Sequence, residues 1–172
     1  MKIKIMLLSA FLTLNLSALT LEEVPSSVTI ENENGGMVLD GSAWSSSTII
    51  DKVHVMFYVD PDEKDTNNEF SALLKEKKYD RSNYGSLAVI NLAATWKPNF
   101  VIESILKGKQ EEFPDTIYVK DKNSVLVNEW NLEDDASNIL IFSKQGKLLF
   151  YKSGKMSQED ITNAIKIIEE NI

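Results

Sequence analysis

Seven consecutive residues, Val53-His-Val-Met-Phe-Tyr-Val59, place β-branched and aromatic side chains on both sides of an extended chain. A strand with one wet face alternates apolar and polar positions, whereas a run without alternation must be covered above and below. This run therefore predicts a middle strand of an α/β sheet. Leu87-Ala-Val-Ile90 repeats the signal. The chain has 172 residues, 43% of them hydrophobic, and no internal repeat. That is enough for one core of ordinary size, expected over residues 19–172.

The flanking segments supply the other elements. Val28 and Ile30 alternate with polar residues, Asn34-Gly-Gly36 is a turn signal, and Met37-Val-Leu39 returns, which predicts an N-terminal β-hairpin. Asp60-Pro-Asp62 stops the central strand. Thr66 and Glu69 have capping-box spacing ahead of a helix with Phe70, Leu73 and Leu74 on one face. Pro98 suits the first turn of a second helix, with Val101, Ile102, Ile105 and Leu106 as its buried side and Gly108 as its end. Ile117-Tyr-Val119 and Val125-Leu-Val127 read as a hairpin about Asp121–Ser124. Ile139–Phe142 and Leu148–Tyr151 read as another. Ser157 to Asp160 starts a last helix, whose Ile161, Ala164, Ile165 and Ile168 recur at helical spacing.

Residues 1–18 have the order of a secretory signal peptide: a basic head at Lys2 and Lys4, an apolar run from Ile5 to Leu16, then small Ser17 and Ala18. The run is shorter than the roughly 20 residues of a spanning helix. A periplasmic protein is expected, with no stable membrane insertion after cleavage. The net charge is −8, and losing the two head lysines makes it more negative by two. So acidic a chain repels phosphate backbones, so no nucleic-acid partner is expected. With no cysteine, disulfide staples, Cys-based zinc sites and thiol chemistry are all excluded.

This element order resembles the thioredoxin-like fold in its periplasmic thiol-reductase and peroxiredoxin branch. The resemblance implies an α/β three-layer sandwich, with a central mixed β-sheet, helices on both faces and an N-terminal β-hairpin. When Lys52 to Asp65 is laid over the reductases' strand and CxxC segment, Asp62 and Asp65 take the places of the two cysteines. The family's cis-proline position reads Asp135-Ala-Ser-Asn138, without proline. The segments Val53–Lys77, Tyr79-Asp-Arg81 and Glu129–Gly146 resemble the YtfJ family of small bacterial periplasmic proteins. Some of its members carry a transcriptional-regulator label, against which the leader and the acidic charge both argue here.

The polar candidates follow from this frame. Asp60, Asp62 and Asp65 are the candidate ligands for a hard cation such as Ca²⁺ or Mg²⁺, although capping and helix-dipole effects already account for carboxylates there. Glu133-Asp-Asp135 is a second acidic patch that the thioredoxin-like frame brings near them. Asp62, Asp65, Asp135, Ser137 and Asn138 form the candidate binding face. His54, the lone histidine, reads as structural. Trp96 and Trp130 read as packing residues, and Trp44 is open between packing and binding. No phosphate loop, HExxH or GxSxG motif appears, and no cofactor is expected. The expected function is a non-catalytic accessory module for a periplasmic or envelope protein or peptide. A divalent-cation-dependent enzyme or a cation-binding protein using the acidic loops is the alternative.

Overall fold

The computed structural model describes residues 19–172, so the predicted leader lies outside the described residues. The strands are β1 (Thr29–Ile30), β2 (Gly35–Met37), β3 (Trp44–Ser45), β4 (Val53–Val59), β5 (Tyr84–Asn91), β6 (Thr116–Asp121), β7 (Ser137–Phe142) and β8 (Leu148–Ser153). The helices are α1 (Asn68–Lys77), α2 (Asn99–Glu112), α3 (Val125–Trp130) and α4 (Gln158–Asn171). Six strands form one mixed sheet in the order β2-β6-β5-β4-β7-β8. Strands β4, β5 and β6 run parallel, and the others pair antiparallel.

The unbroken apolar run is the inner strand β4, and its side chains divide by parity as the pleat requires. Met56 and Tyr58 join Leu87, Val89, Leu140 and Phe142 on one face, under Leu126 and Trp130 of α3 and under Ile30 and Trp44 of the small β1–β3 pair. Val53 and Val55 join Ile139 and Ile141 on the other, under Phe70 of α1 and Ile161, Ala164, Ile165 and Ile168 of α4. Helix α2 covers the same side farther out, through Ile102 and Leu106 against Val38 and Leu92. The result is the expected three-layer sandwich.

Four local expectations change. The N-terminal segments do not pair with each other: β1 pairs with β3, while β2 adds to the sheet edge at β6. Val125-Leu-Val127 is helical rather than extended, because the Asp121 carboxylate accepts from the N–H groups of Val125 (2.9 Å) and Leu126 (3.1 Å). Those bonds satisfy donors at the start of α3 that a helix leaves open. Thr66 does not cap α1; its hydroxyl donates to Glu63 at 2.6 Å, and Asn67 takes the cap position. Helix α2 runs past Gly108 to Glu112 and buries only Ile102 and Leu106, leaving Val101 and Ile105 outside. By contrast, the predicted capping box of Ser157 and Asp160 forms at α4.

His54 is the second residue of β4, buried, with Nδ1 3.0 Å from the Lys52 carbonyl. Its ring lies against Gly85, where an added Cβ would come within 2.5 Å of the imidazole. Burial pushes the imidazole pKa below its ordinary value, so the unfolded chain takes up this proton more readily than the fold does. Stability from this group is therefore full above pH 6.5 and declines below it, by at most about 1.4 kcal/mol per pH unit. Melts of the wild type and His54→Phe between pH 7 and 5 check this. The wild type should lose stability relative to the variant as pH falls.

Candidate functional site

Parallel strands end together, and here their carboxyl ends carry polar residues: Asp60 after β4, Asn91 closing β5 and Asp121 closing β6. Beside them β7 begins with Ser137 and Asn138. All five are buried, so each needs a partner. Asp121 accepts from the Tyr58 hydroxyl (3.1 Å) as well as from the α3 amides. Burial, then the Asp121 charge, pushes the Tyr58 phenol pKa far up, so it remains a donor. Asn91 donates to Asp134 (2.8 Å) and accepts from Ser124 (3.0 Å). Asn138 donates to the Glu133 carbonyl (2.9 Å) and accepts from Tyr151 (3.0 Å). Asn67, buried ahead of α1, donates to Ser137 (2.9 Å) and the Gly154 carbonyl (3.0 Å) and accepts from Met156 N–H (2.9 Å). Among the described residues no buried side-chain polar atom lacks a partner.

This layer fixes three loops above it. The 60–65 loop meets the 133–137 loop where Asp60 N–H donates to the Ala136 carbonyl at 3.0 Å. Asn91 ties its own loop to Asp134. Asp62 ties the 60–65 loop to the 91–97 loop, accepting from Thr95 Oγ1 at 2.8 Å and pairing with the Lys97 ammonium. The two acidic segments predicted to be neighbours are neighbours.

Of the predicted binding-face residues, Asp62, Asp65 and Asp135 are exposed. Ser137 and Asn138 are buried beneath them and act as supports rather than contacts. The cation candidates do not converge. Asp60 is buried, its Oδ1 accepting from Asp62 N–H at 2.8 Å. Asp62 is committed to Lys97 and Thr95, and Asp65 to Lys64 and Asn68. These partners hold the Asp62 and Asp65 carboxyls below their ordinary pKa. Among the described residues, no group of three or more His, Asp or Glu side chains is placed to hold a metal ion. His54 stands at the opposite end of β4, roughly 20 Å from Asp60 at 3.3 Å per residue.

Asp60 behaves differently. Burial raises its carboxyl pKa, and the neighbouring charges of Asp62, Asp135 and Glu63 add to the effect. Its ionised form therefore weakens the fold: the penalty is absent below the ordinary pKa of 3.8, appears as pH rises through the raised value, and is complete at neutrality. Asp60→Asn keeps the Oδ1 acceptor and removes the charge. It should raise the melting temperature at pH 7 by about 1–3 °C, with the gain vanishing near pH 3. Paired melts at the two pH values check both.

Of the three tryptophans, Trp130 packs as expected, Trp44 settles as a core residue, and Trp96 departs from the sequence reading. Trp44 (3% exposed) and Trp130 (1%) are core residues, and Trp130 Nε1 donates to the Ser26 carbonyl at 2.9 Å. Trp96, assigned to packing, is 86% exposed. Its flanking residues hold it there, since Thr95 and Lys97 both grip Asp62. The available signal was an indole between two hydrogen-bonding side chains and just before a proline.

The family model described as a bacterial protein of unknown function, YtfJ_HI0045, matches residues 19–171. The chain belongs to the YtfJ_HI0045 family. An uncharacterized protein of Haemophilus influenzae is 31% identical over 159 residues, covering 87% of this chain and 85% of that protein. The uncharacterized protein YtfJ of Escherichia coli K12 is 20% identical over 146 residues, covering 80% and 79%. Among solved structures, a thiol-disulfide isomerase from Corynebacterium glutamicum superposes with a TM-score of 0.57 at 13% identity, covering 87% of this chain and 95% of that one. This YtfJ_HI0045 member thus has the thioredoxin-like fold and no cysteine.

Proposed function

We propose that this protein is an exported, non-catalytic binding module that holds a periplasmic or envelope polypeptide on the face formed by the 60–65, 91–97 and 133–137 loops. One observation carries the reading: a tryptophan stands in solvent between two residues anchored to Asp62. A large exposed indole on a braced loop is what an interface anchor needs. The surrounding side chains suit binding better than catalysis, because the polar layer is committed to internal hydrogen bonds. The basic head and apolar run of residues 1–16 support export.

Immobilised wild-type protein and Trp96→Ala, exposed to solubilised envelope fractions, test this. The expected result is a retained protein that wild type holds and the variant releases. Equal retention by both would contradict the use of this face.

A further inference from the structure

The exposed apolar surface does not end at Trp96. Helix α2 turns Phe100 (74% exposed), Val101 and Ile105 (56%) to solvent, and the i, i+4 spacing of Val101 and Ile105 makes them neighbours on one side. Trp96 leads into that helix. Thr95 Oγ1 donates to Asp62 and accepts from Lys97 N–H at 3.3 Å, a turn that spans the tryptophan. Pro98 then fixes the next backbone angle, with φ at −58°. The indole is thus presented on a backbone with little freedom left to lose on binding.

The rim at this end is acidic. The 60–65 and 133–135 loops expose six carboxylates. Their lysine Lys64 and the nearby Lys97 are already paired with Asp65 and Asp62. Asp60 beneath them carries the mark of that field, since Asp62, Asp135 and Glu63 all disfavour its ionisation. A second copy of this chain would bring the same acidic rim to the contact. Two clefts among the described residues, of about 250 Å³ and 200 Å³, include neither Trp96 nor any residue of α2, and only Asp65 of the acidic rim borders one of them. The face is open and suits a polypeptide rather than an enclosed small molecule.

Resting on the binding-face reading above, we infer that the occupant is a basic polypeptide segment: an apolar or aromatic side chain packs against Trp96 and Phe100 while flanking Lys or Arg side chains meet the acidic rim. Such a match fixes orientation and speeds encounter.

Trp96 reports on its own site, because Trp44 and Trp130 are buried. The purified protein is titrated with three synthetic peptides of equal length and equal aromatic content, one rich in Lys and Arg, one neutral and one rich in Glu, followed by tryptophan emission. The basic peptide should shift the Trp96 emission to the blue. Its affinity should fall as salt shortens the screening length from about 10 Å at 0.1 M to about 3 Å at 1 M. Trp96→Phe should remove the signal. By calorimetry, Trp96→Ala and Phe100→Ala should each weaken binding at least about tenfold without moving the melting temperature. Tighter binding of the neutral or acidic peptide, lost in Trp96→Ala, would overturn the basic partner and leave the face standing. Binding that Trp96→Ala does not weaken, or no binding of any peptide, would overturn this inference. Self-association that Trp96→Ala abolishes would replace the peptide with a second copy.

Discussion

Asp121→Ala should lower the free energy of unfolding by about 3–5 kcal/mol, which urea titration would measure. The carboxylate is fully buried and receives the Tyr58 hydroxyl and the N–H groups of Val125 and Leu126. Truncation strands these donors at roughly 1–3 kcal/mol each, less whatever relaxation and water recover. A domain's total stability is about 5–15 kcal/mol, so this one change removes a large share of it. Asp121→Asn preserves shape but turns an amide NH₂ toward N–H donors, and it should fall between wild type and Ala. A loss below about 1 kcal/mol in the alanine variant would mean that the α3 amides find other partners.

Gly35→Ala acts on the same edge of the sheet, since Gly35 pairs with Asp121 in the β2–β6 ladder. Its φ of +123° excludes ordinary side chains, and a Cβ there would lie 1.9 Å from the Lys120 carbonyl oxygen. That oxygen is backbone and cannot swing aside, so β2 must leave its place. The expected loss is about 2–4 kcal/mol, with faster amide exchange through Gly35–Met37 and little change in the α1–α4 side of the core. Because the two sites share one ladder, the double variant should lose less than the sum. Wild-type exchange along β2 in Gly35→Ala would contradict the close approach.

What the sequence made legible followed the strength of its periodicity. The run from Val53 to Val59 announced a doubly covered strand, and the 161, 164, 165, 168 spacing announced α4. Three elements misled for identifiable reasons. Val125-Leu-Val127 looks extended by composition, but Asp121, four residues upstream, supplies the acceptors that start a helix. The turn chemistry of Asn34-Gly-Gly36 suggested a local hairpin, yet β2 finds its partner at β6, far along the chain. Val101 and Ile105 match the helical pattern of a buried face, although α2 meets the core only through Ile102 and Leu106.

The candidate site divides the same way. The adjacency of Asp60–Asp65 to Glu133–Asn138 was readable because the fold frame fixes which strand ends meet. The roles within it were not. Whether Ser137 points up to solvent or down to Asn67, and whether Trp96 packs or projects, depends on partners in other loops that spacing along one segment does not reveal. Lys97 gives the plainest case: its pairing with Asp62, 35 positions away, holds the loop that carries Trp96.

If Trp96 and the acidic loops around it are where this protein meets its partner, a cross-linker placed there must capture that partner. The absence of cysteine makes single-cysteine variants uniquely addressable, so Asn99→Cys, exposed between Trp96 and Phe100 with the indole left in place, and Gln145→Cys can each carry one photo-cross-linker. Gln145 lies in the turn between β7 and β8, at the opposite end of the sheet. Irradiation in intact cells, followed by mass spectrometry, should give one recurrent adduct from position 99 and none from position 145. The same adducts from both positions, or none from position 99, would contradict the account.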